Sequence, residues 1–415
     1  MGALMRNFLR GSKSNSSRYS FMCFYMLNMP KNFSYLSVIL LLLTGLFGCS
    51  GSSTISPVEN NSDSDRLRSD SQLTFFGVSL EQFDQDGKPF WKVQAREAKY
   101  TKEKEIGQAK NPQGELYQDG KVVYTIKAET ADIQQDGKKL VLKGKIVARD
   151  PRNGAILEGN ELEWRPQEDL LIVRNQFNGR HRQLKATAQE ARVKTRQQQV
   201  EFTGQVFAVS NDPKLQIKTE RLLWQVQSEK LVGDRPVEIQ RYQNNQFTDR
   251  AQGKGIEVNL KTKITTLGPE AKLQLINPPM QINSNAISWD INQEIVKSNV
   301  PVRVIHQGEN ITVSGNQAEM KLLQKTVYLT GDVKAIGQRN QYLKSDRLTW
   351  YLERKLVEAQ GKVIYHQMEP PLTFQGSTAI GNLATENIIV KGGSSGQVMT
   401  EVIPQQVITP SLGER

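Results

Sequence analysis

The stretch SDRLTWYLERKLVEAQGKVIYHQ, residues 345–367, holds a Trp, a polar turn, a Gly and a short apolar run ending at a His. Nearly the same phrase stands three times before it: NELEWRPQEDLLIVRNQFNGRHRQ (160–183), TERLLWQVQSEKLVGDRPVEIQRYQ (219–243) and SNAISWDINQEIVKSNVPVRVIHQ (284–307). The intervals between Trp164, Trp224, Trp289 and Trp350 are therefore 60, 65 and 61. Trp91 precedes Trp164 by 73, so the first unit reads as longer or divergent. A second marker keeps the same period: Gly144, Gly204, Gly268 and Gly331 are spaced by 60, 64 and 63. A half-period also shows, from Gly331 to Gly361 and from Gly204 to Gly233. Two independent markers with one period define a repeat architecture.

Within each half-repeat the pattern alternates. KVVYTIKAE (121–129) puts Val122, Tyr124, Ile126 and Ala128 on one side, and PFWKVQARE (89–97) does the same with Trp91, Val93 and Ala95. Period two is the strand signal, because successive side chains point to opposite faces. Asp-Gly turns recur at 86–87, 119–120 and 136–137, with SNDPK at 210–214 and NPP at 277–279. No segment after residue 72 has a helical period. The body reads as all-β and antiparallel, about 25–30 short strands at roughly one per 8–12 residues or slightly more. One repeat unit cannot cover both faces of its own sheet, so units must stack. The series glycines read as turn or bulge positions. The repeated tryptophans are either a stacking core layer or lining of an inner lumen.

Composition narrows function. The chain has 415 residues and a formal charge of +11. Five of those charges, Arg6, Arg10, Lys13, Arg18 and Lys31, precede Cys49 with no acid among them, leaving +6 spread along the remainder. No Lys/Arg block is interleaved with aromatics, which argues against nucleic acid. Both cysteines, Cys23 and Cys49, precede the folded region, so no disulfide framework or cysteine metal site is expected in the body. His181, His306 and His366 stand at offsets of 17, 17 and 16 from their preceding tryptophans. Equivalent places in different units are roughly 10 Å or more apart at ~4.8 Å per strand, so the three cannot share a metal or a catalytic centre. With no triad, metal cluster or phosphate loop, we expect no enzyme, no cofactor and no metal.

The N-terminus reads as an address. Residues 29–50, MPKNFSYLSVILLLLTGLFGCS, give a basic start, an apolar run at 36–47 and a small residue before Cys49. This resembles a bacterial lipoprotein signal, in which Cys49 would carry the lipid. An uncleaved membrane helix is the other reading, and both place the rest outside the cytoplasm. Met29 offers an alternative start that gives a signal of ordinary length. Expected divisions are 1–49 as signal or anchor, 50–72 as a flexible tether, 73–185 and 186–400 as two stretches of β structure, and 401–415 as a tail.

FFGVSLEQFDQDGKPFWKVQAREAKY (75–100) resembles the opening of the periplasmic lipopolysaccharide-export protein LptC. AEMKLLQKTVYLTGDVKAI (318–336) and YLKSDRLTWYLERKLVEAQGKV (342–363) resemble the OstA-like repeat shared by LptA and the periplasmic part of LptD. The resemblance covers roughly residues 73–400, about twice the usual single LptC domain. It implies an elongated antiparallel β-jellyroll of stacked OstA-like repeats around an open, V-shaped hydrophobic groove. It also implies lipopolysaccharide as ligand, an inner-membrane ABC transporter at the N-terminal edge and an LptA/OstA-like bridge protein at the C-terminal edge. Periplasmic placement and anchoring to the inner membrane go with it. The inward groove candidates are Val78, Leu80, Phe83, Trp91, Val93, Tyr124, Ile126, Leu140 and Leu142. The run GQVMTEVIPQQVITP (396–410) reads either as the docking edge or as a proline-protected stop. Competing functions are an envelope scaffold and a polysaccharide-acting β-solenoid enzyme, which would need clustered acids where this chain scatters them.

Overall fold

A computed structural model of the chain describes residues 72–101, 106–134, 138–244, 246–369, 371–393 and 396–402. The chain divides into two units, Met1–Asp65 and Arg66–Arg415, and every described residue lies in the second. Cys49, Met29, the tether before residue 72 and the tail after 402 lie outside the described residues, as does the Asp-Gly turn at 136–137. Among the described residues there are 30 strands, numbered β1–β30 in chain order, all paired antiparallel, and one short 3-10 turn. No helix of these residues is long and apolar enough to cross a membrane.

The strands make two ladders rather than one flat sheet. In β7 (Leu140–Arg149), Leu140–Lys143 pair with β6 (Thr130–Gln134), whereas Val147–Arg149 pair with β5 (Lys121–Lys127). The same division recurs in β8 (Ile156–Arg165), β9 (Leu170–Arg180), β10 (Leu184–Lys194), β11 (Gln199–Ser210) and β12 (Leu215–Gln225). It returns in β25 (Thr326–Ile336) through β28 (Leu372–Asn382). In the middle of the chain the halves are separate short strands. β14 (Val237–Gln243) continues the first ladder and β13 (Lys230–Gly233) the second.

The corner between the ladders is a bulge written into the sequence. At Gly144-Lys145, Gly204-Gln205, Gly331-Asp332 and Gly361-Lys362 two consecutive residues have φ between 42° and 77°. The strand register shifts at each of these steps. Glycine opens the pair because it enters the left-handed region without steric cost. A Cβ on these glycines would collide with the side chain of Glu129, Gln189, Asn316 or Asp346. Gly268 does not join the set: its φ is not positive, and Glu270 takes the left-handed conformation instead. In β9 the corner is Asn175-Gln176, with no glycine at all.

At the other end of the second ladder the hairpins from β8 onward close with a tight turn. Its last residue is left-handed: Asp169, Gln198, Glu229, Lys263, Glu294, Lys325, Lys355 and Glu386 follow one another at close to the glycine half-period. The turns are hydrogen-bonded into a stack. The N–H of Val226, Leu260, Ile291, Leu322, Leu352 and Leu383 donates to the carbonyl of Gln198, Glu229, Lys263, Glu294, Lys325 and Lys355, at 2.8–3.1 Å. This stack is the physical form of the half-period.

The inner faces of both ladders share a single apolar core running from Trp91 to Ala379. The outer faces carry charge. Glu163 is buried there among Arg174, Arg165 and Lys139 at 2.6–3.1 Å. Desolvation pushes its carboxyl up, but the three hydrogen-bonded cations outweigh that and bring it down to about 2. A depressed carboxylate adds stability above its ordinary value of 4.5 and loses it as pH falls towards 2. Urea melts across that window will show the wild type losing stability, and Glu163→Gln, with a flatter profile there, will lose less.

Candidate functional site: the inner groove

The corner fixes which side chains face inward. On β1 (Gln72–Phe83) Val78 and Leu80 stand opposite Ala95 and Val93 of β2 (Pro89–Thr101) and pack against the core. Trp91 and Val93 on β2, Tyr124 and Ile126 on β5, and Leu140 and Leu142 on β7 are all buried, at 0–3% exposure. The first four belong to one ladder and the two leucines to the other, so the set lines both walls. Burial beside Asp150 also pushes the Tyr124 phenol up, so it stays neutral.

Phe83 is a correction. With Val78, Leu80 and Gln82 inward, period two sends residue 83 to the outer face, and the register shift after Gln82 keeps it there. Its ring is 43% exposed and lies under the ammonium of Lys92, 5.9 Å from the ring centroid. Phe83 does not line the groove.

The tryptophans close the side of the V away from the corner. Trp164, Trp224, Trp289 and Trp350 all lie near the mouth end of the second ladder, just before its turns. Each meets something from the first ladder across the mouth. The Trp164 indole N–H donates to the Phe90 carbonyl at 3.2 Å. Trp224 packs on His181 at 5.0 Å and Trp350 on His306 at 5.7 Å between ring centroids. The Arg241 guanidinium lies 4.4 Å from the Trp289 ring centroid. Trp91 belongs to the other ladder, opposite Leu116, which explains its odd spacing of 73. Burial, with Arg182 adding to it, lowers the His181 imidazole and favours its neutral form against Trp224.

Arg241 is the residue that the histidine series concealed. It stands at the same offset from Trp224 that His181 and His306 keep from Trp164 and Trp289. That shared offset is the signal in the sequence, carried here by an arginine in place of a histidine. Arg241 is buried, donating to Asp249 at 2.7 Å and to Glu294 at 2.6 Å.

Further ion pairs cross the mouth from turn to turn. They join Arg196 to Asp119 at 2.7 Å, Lys263 to Asp212 at 3.0 Å, Lys355 to Glu309 at 3.7 Å, and Arg339 to Glu386. Behind this seam the groove is largely filled by its own side chains. A cavity of about 40 Å³ remains beside Phe177, Phe202 and Trp224. A larger cleft of about 220 Å³ opens near the C-terminal end, floored by Leu348, Trp350, Val357, Tyr365 and Ile388. It exists because Gly381 stands where the series Trp164, Val193, Trp224, Val258, Trp289, Met320, Trp350 would put a core side chain, and a Cβ there meets nothing. Among the described residues no His, Cys, Asp or Glu cluster could hold a metal ion.

Compared with known proteins, the chain matches the family described as lipopolysaccharide-assembly, LptC-related, over residues 37–171, 157–275 and 278–399. No curated protein matches. Among solved structures, the crystal structure of LptH from Pseudomonas aeruginosa, the LptA-homologous periplasmic component of the lipopolysaccharide transport device, aligns at 13% identity. That alignment covers 31% of this chain and 97% of LptH, with a TM-score of 0.28. Three consecutive family matches spanning nearly all of the ladder region settle the membership: the chain belongs to the LptC-related lipopolysaccharide-assembly family.

Proposed function

We propose that this protein is a membrane-anchored periplasmic component of the lipopolysaccharide export machinery. It accepts lipopolysaccharide from an inner-membrane ABC transporter and passes it along its groove towards the outer membrane. The family's part in lipopolysaccharide assembly supports this reading. The observation that carries it is the unbroken apolar inner face from Trp91 to Ala379. Each buried methylene of an acyl chain is worth about 0.8 kcal/mol, so a multi-chain lipid needs continuous shelter. A continuous apolar inner face lets the chains slide from rung to rung without passing through water. The role is transport without catalysis. β1 is the N-terminal edge, offered to the transporter, and β29 (Asn387–Lys391) and β30 (Met399–Val402) are the C-terminal edges, offered to a bridge protein. The anchor is Cys49 or the apolar run before it.

Close packing of the inner face favours a second reading, an envelope scaffold whose core is only a core. Photocrosslinking in living cells separates the two. Probes at Val93 and Ile126, which are buried, will capture lipopolysaccharide, and probes at outward Lys92 and Lys127 will not. Protein partners without lipid at the inward positions would make the protein a scaffold.

A further inference from the structure

The seam across the mouth has a chemistry of its own. An amphiphile whose chains enter the groove must leave its polar head at this seam, because the inner face offers it nothing polar enough to replace water. Every seam cation named above is already matched by a carboxylate from the opposite wall. Most of these pairs are solvent-exposed: Lys355, Arg339 and Glu386 are all more than half exposed, and so is Asp212. Exposed pairs contribute little to stability, so their partners exchange readily. A phosphate competes well for such a cation, since it carries up to about two negative charges and three acceptor oxygens against one charge on a carboxylate.

The two pairs nearest the C-terminus sit over the wider of the two openings into the inner face. Lys355, Glu309, Arg339 and Glu386 all line the 220 Å³ cleft whose floor is apolar. Apolar floor and cationic rim together are the outline of a phosphorylated acyl lipid. We propose that Lys355 and Arg339 form a phosphate-binding station at this cleft, with Glu309 and Glu386 as the resident counter-ions that the phosphate displaces. Lys263, with Asp212, forms an earlier station of the same kind. The turns of Lys263 and Lys355 are three half-repeats apart on the second ladder, roughly 30 Å at ~4.8 Å per strand, so the head passes from the earlier station to the later one while the chains slide. This inference rests on the lipid-transfer reading above and adds the part of the ligand that the groove itself does not recognise.

The test uses the full chain and three probes in detergent micelles: a diphosphorylated acyl glucosamine disaccharide, the same glycolipid stripped of phosphate, and phosphatidylglycerol. Two double variants are compared by affinity, with circular dichroism to confirm folding. Arg339→Gln with Lys355→Gln should weaken the phosphorylated glycolipid about tenfold and leave the dephosphorylated one unchanged. Glu309→Gln with Glu386→Gln should tighten the phosphorylated one. Opposite signs are the signature, since a seam that only held the walls together would respond to both variants in the same direction. An equal loss for phosphatidylglycerol assigns the station to any lipid phosphate, and a loss confined to the glycolipid assigns it to a sugar phosphate; both support the site. If wild type binds both glycolipids and neither variant changes anything, the station falls and the transfer reading stands. Wild type that binds no lipid at all overturns the transfer reading, and the station with it.

Discussion

Arg241→Ala will lower stability by about 3–5 kcal/mol, measured by urea denaturation followed through tryptophan fluorescence. The size comes from what is left behind. Arg241 and Asp249 have side chains 8% and 4% exposed, and Glu294 is 15% exposed. Removing the guanidinium strands two carboxylates in a low-dielectric mouth, and it strips the cation from the face of Trp289. Lysine cannot restore it fully, because the fork of Arg241 serves Asp249 and Glu294 from different nitrogens while its central carbon stands 4.4 Å from the Trp289 ring centroid. The decisive comparison is a triple variant, Arg241→Met with Asp249→Leu and Glu294→Gln. Taking out the whole network removes the desolvation cost along with the attraction, so the triple variant should be far more stable than Arg241→Ala alone. A loss below about 1 kcal/mol for Arg241→Ala, the range of exposed pairs, would mean that water reaches the two acids and the mouth is not sealed there. Because strands in this ladder contact mainly their neighbours, the loss should appear as an early partial transition centred on the Trp289 region.

Much of this architecture was legible in the sequence, for physical reasons that can be named. Alternation reports strands wherever one face is buried, and here the inner face is buried over the whole ladder, so Trp91, Val93, Tyr124, Ile126, Leu140 and Leu142 could be placed inward. Glycine reports a left-handed corner because few other residues adopt it cheaply, and Gly144, Gly204, Gly331 and Gly361 are such corners. The signal fails where the corner is built otherwise. Asn175-Gln176 does the same work without glycine, and Gly268 kept the spacing without the conformation. The turn residues from Asp169 to Glu386 were silent, because Gln, Glu and Lys in the left-handed region cost only about 1–2 kcal/mol each and no residue type marks the place. Phe83 was misplaced against the parity of its own strand: with Val78 and Leu80 inward, period two puts Gln82 inward and residue 83 outside, and aromatic character alone does not override that. The seam was out of reach altogether. Its partners are remote in sequence, as in Lys355 with Glu309 and Arg196 with Asp119, and only folding two ladders onto each other brings them together.

The tryptophans at the mouth give the other large effect, and they will not behave alike. Trp164→Ala and Trp350→Ala should each cost about 3–5 kcal/mol, since both side chains are fully buried and each removal leaves a cavity between the ladders. Phenylalanine separates them. Both Trp→Phe changes lose some contact area, but the indole N–H groups stand in different circumstances. That of Trp164 donates to the Phe90 carbonyl, so Trp164→Phe leaves an acceptor without its donor and costs roughly 1 kcal/mol more than area alone. That of Trp350 is buried with no partner. An unpaired buried donor already carries a penalty of about 1–3 kcal/mol, and Trp350→Phe relieves it while losing area. Urea midpoints should therefore fall clearly for Trp164→Phe and little, or not at all, for Trp350→Phe. Equal losses would show that the Trp350 N–H finds an acceptor in solution, and with the 220 Å³ cleft alongside it that acceptor would be water. A wet cleft beneath Lys355 and Arg339 would hold solvent that an acyl chain must displace on entry, and the free energy of that displacement would add to affinity at this rung above the others.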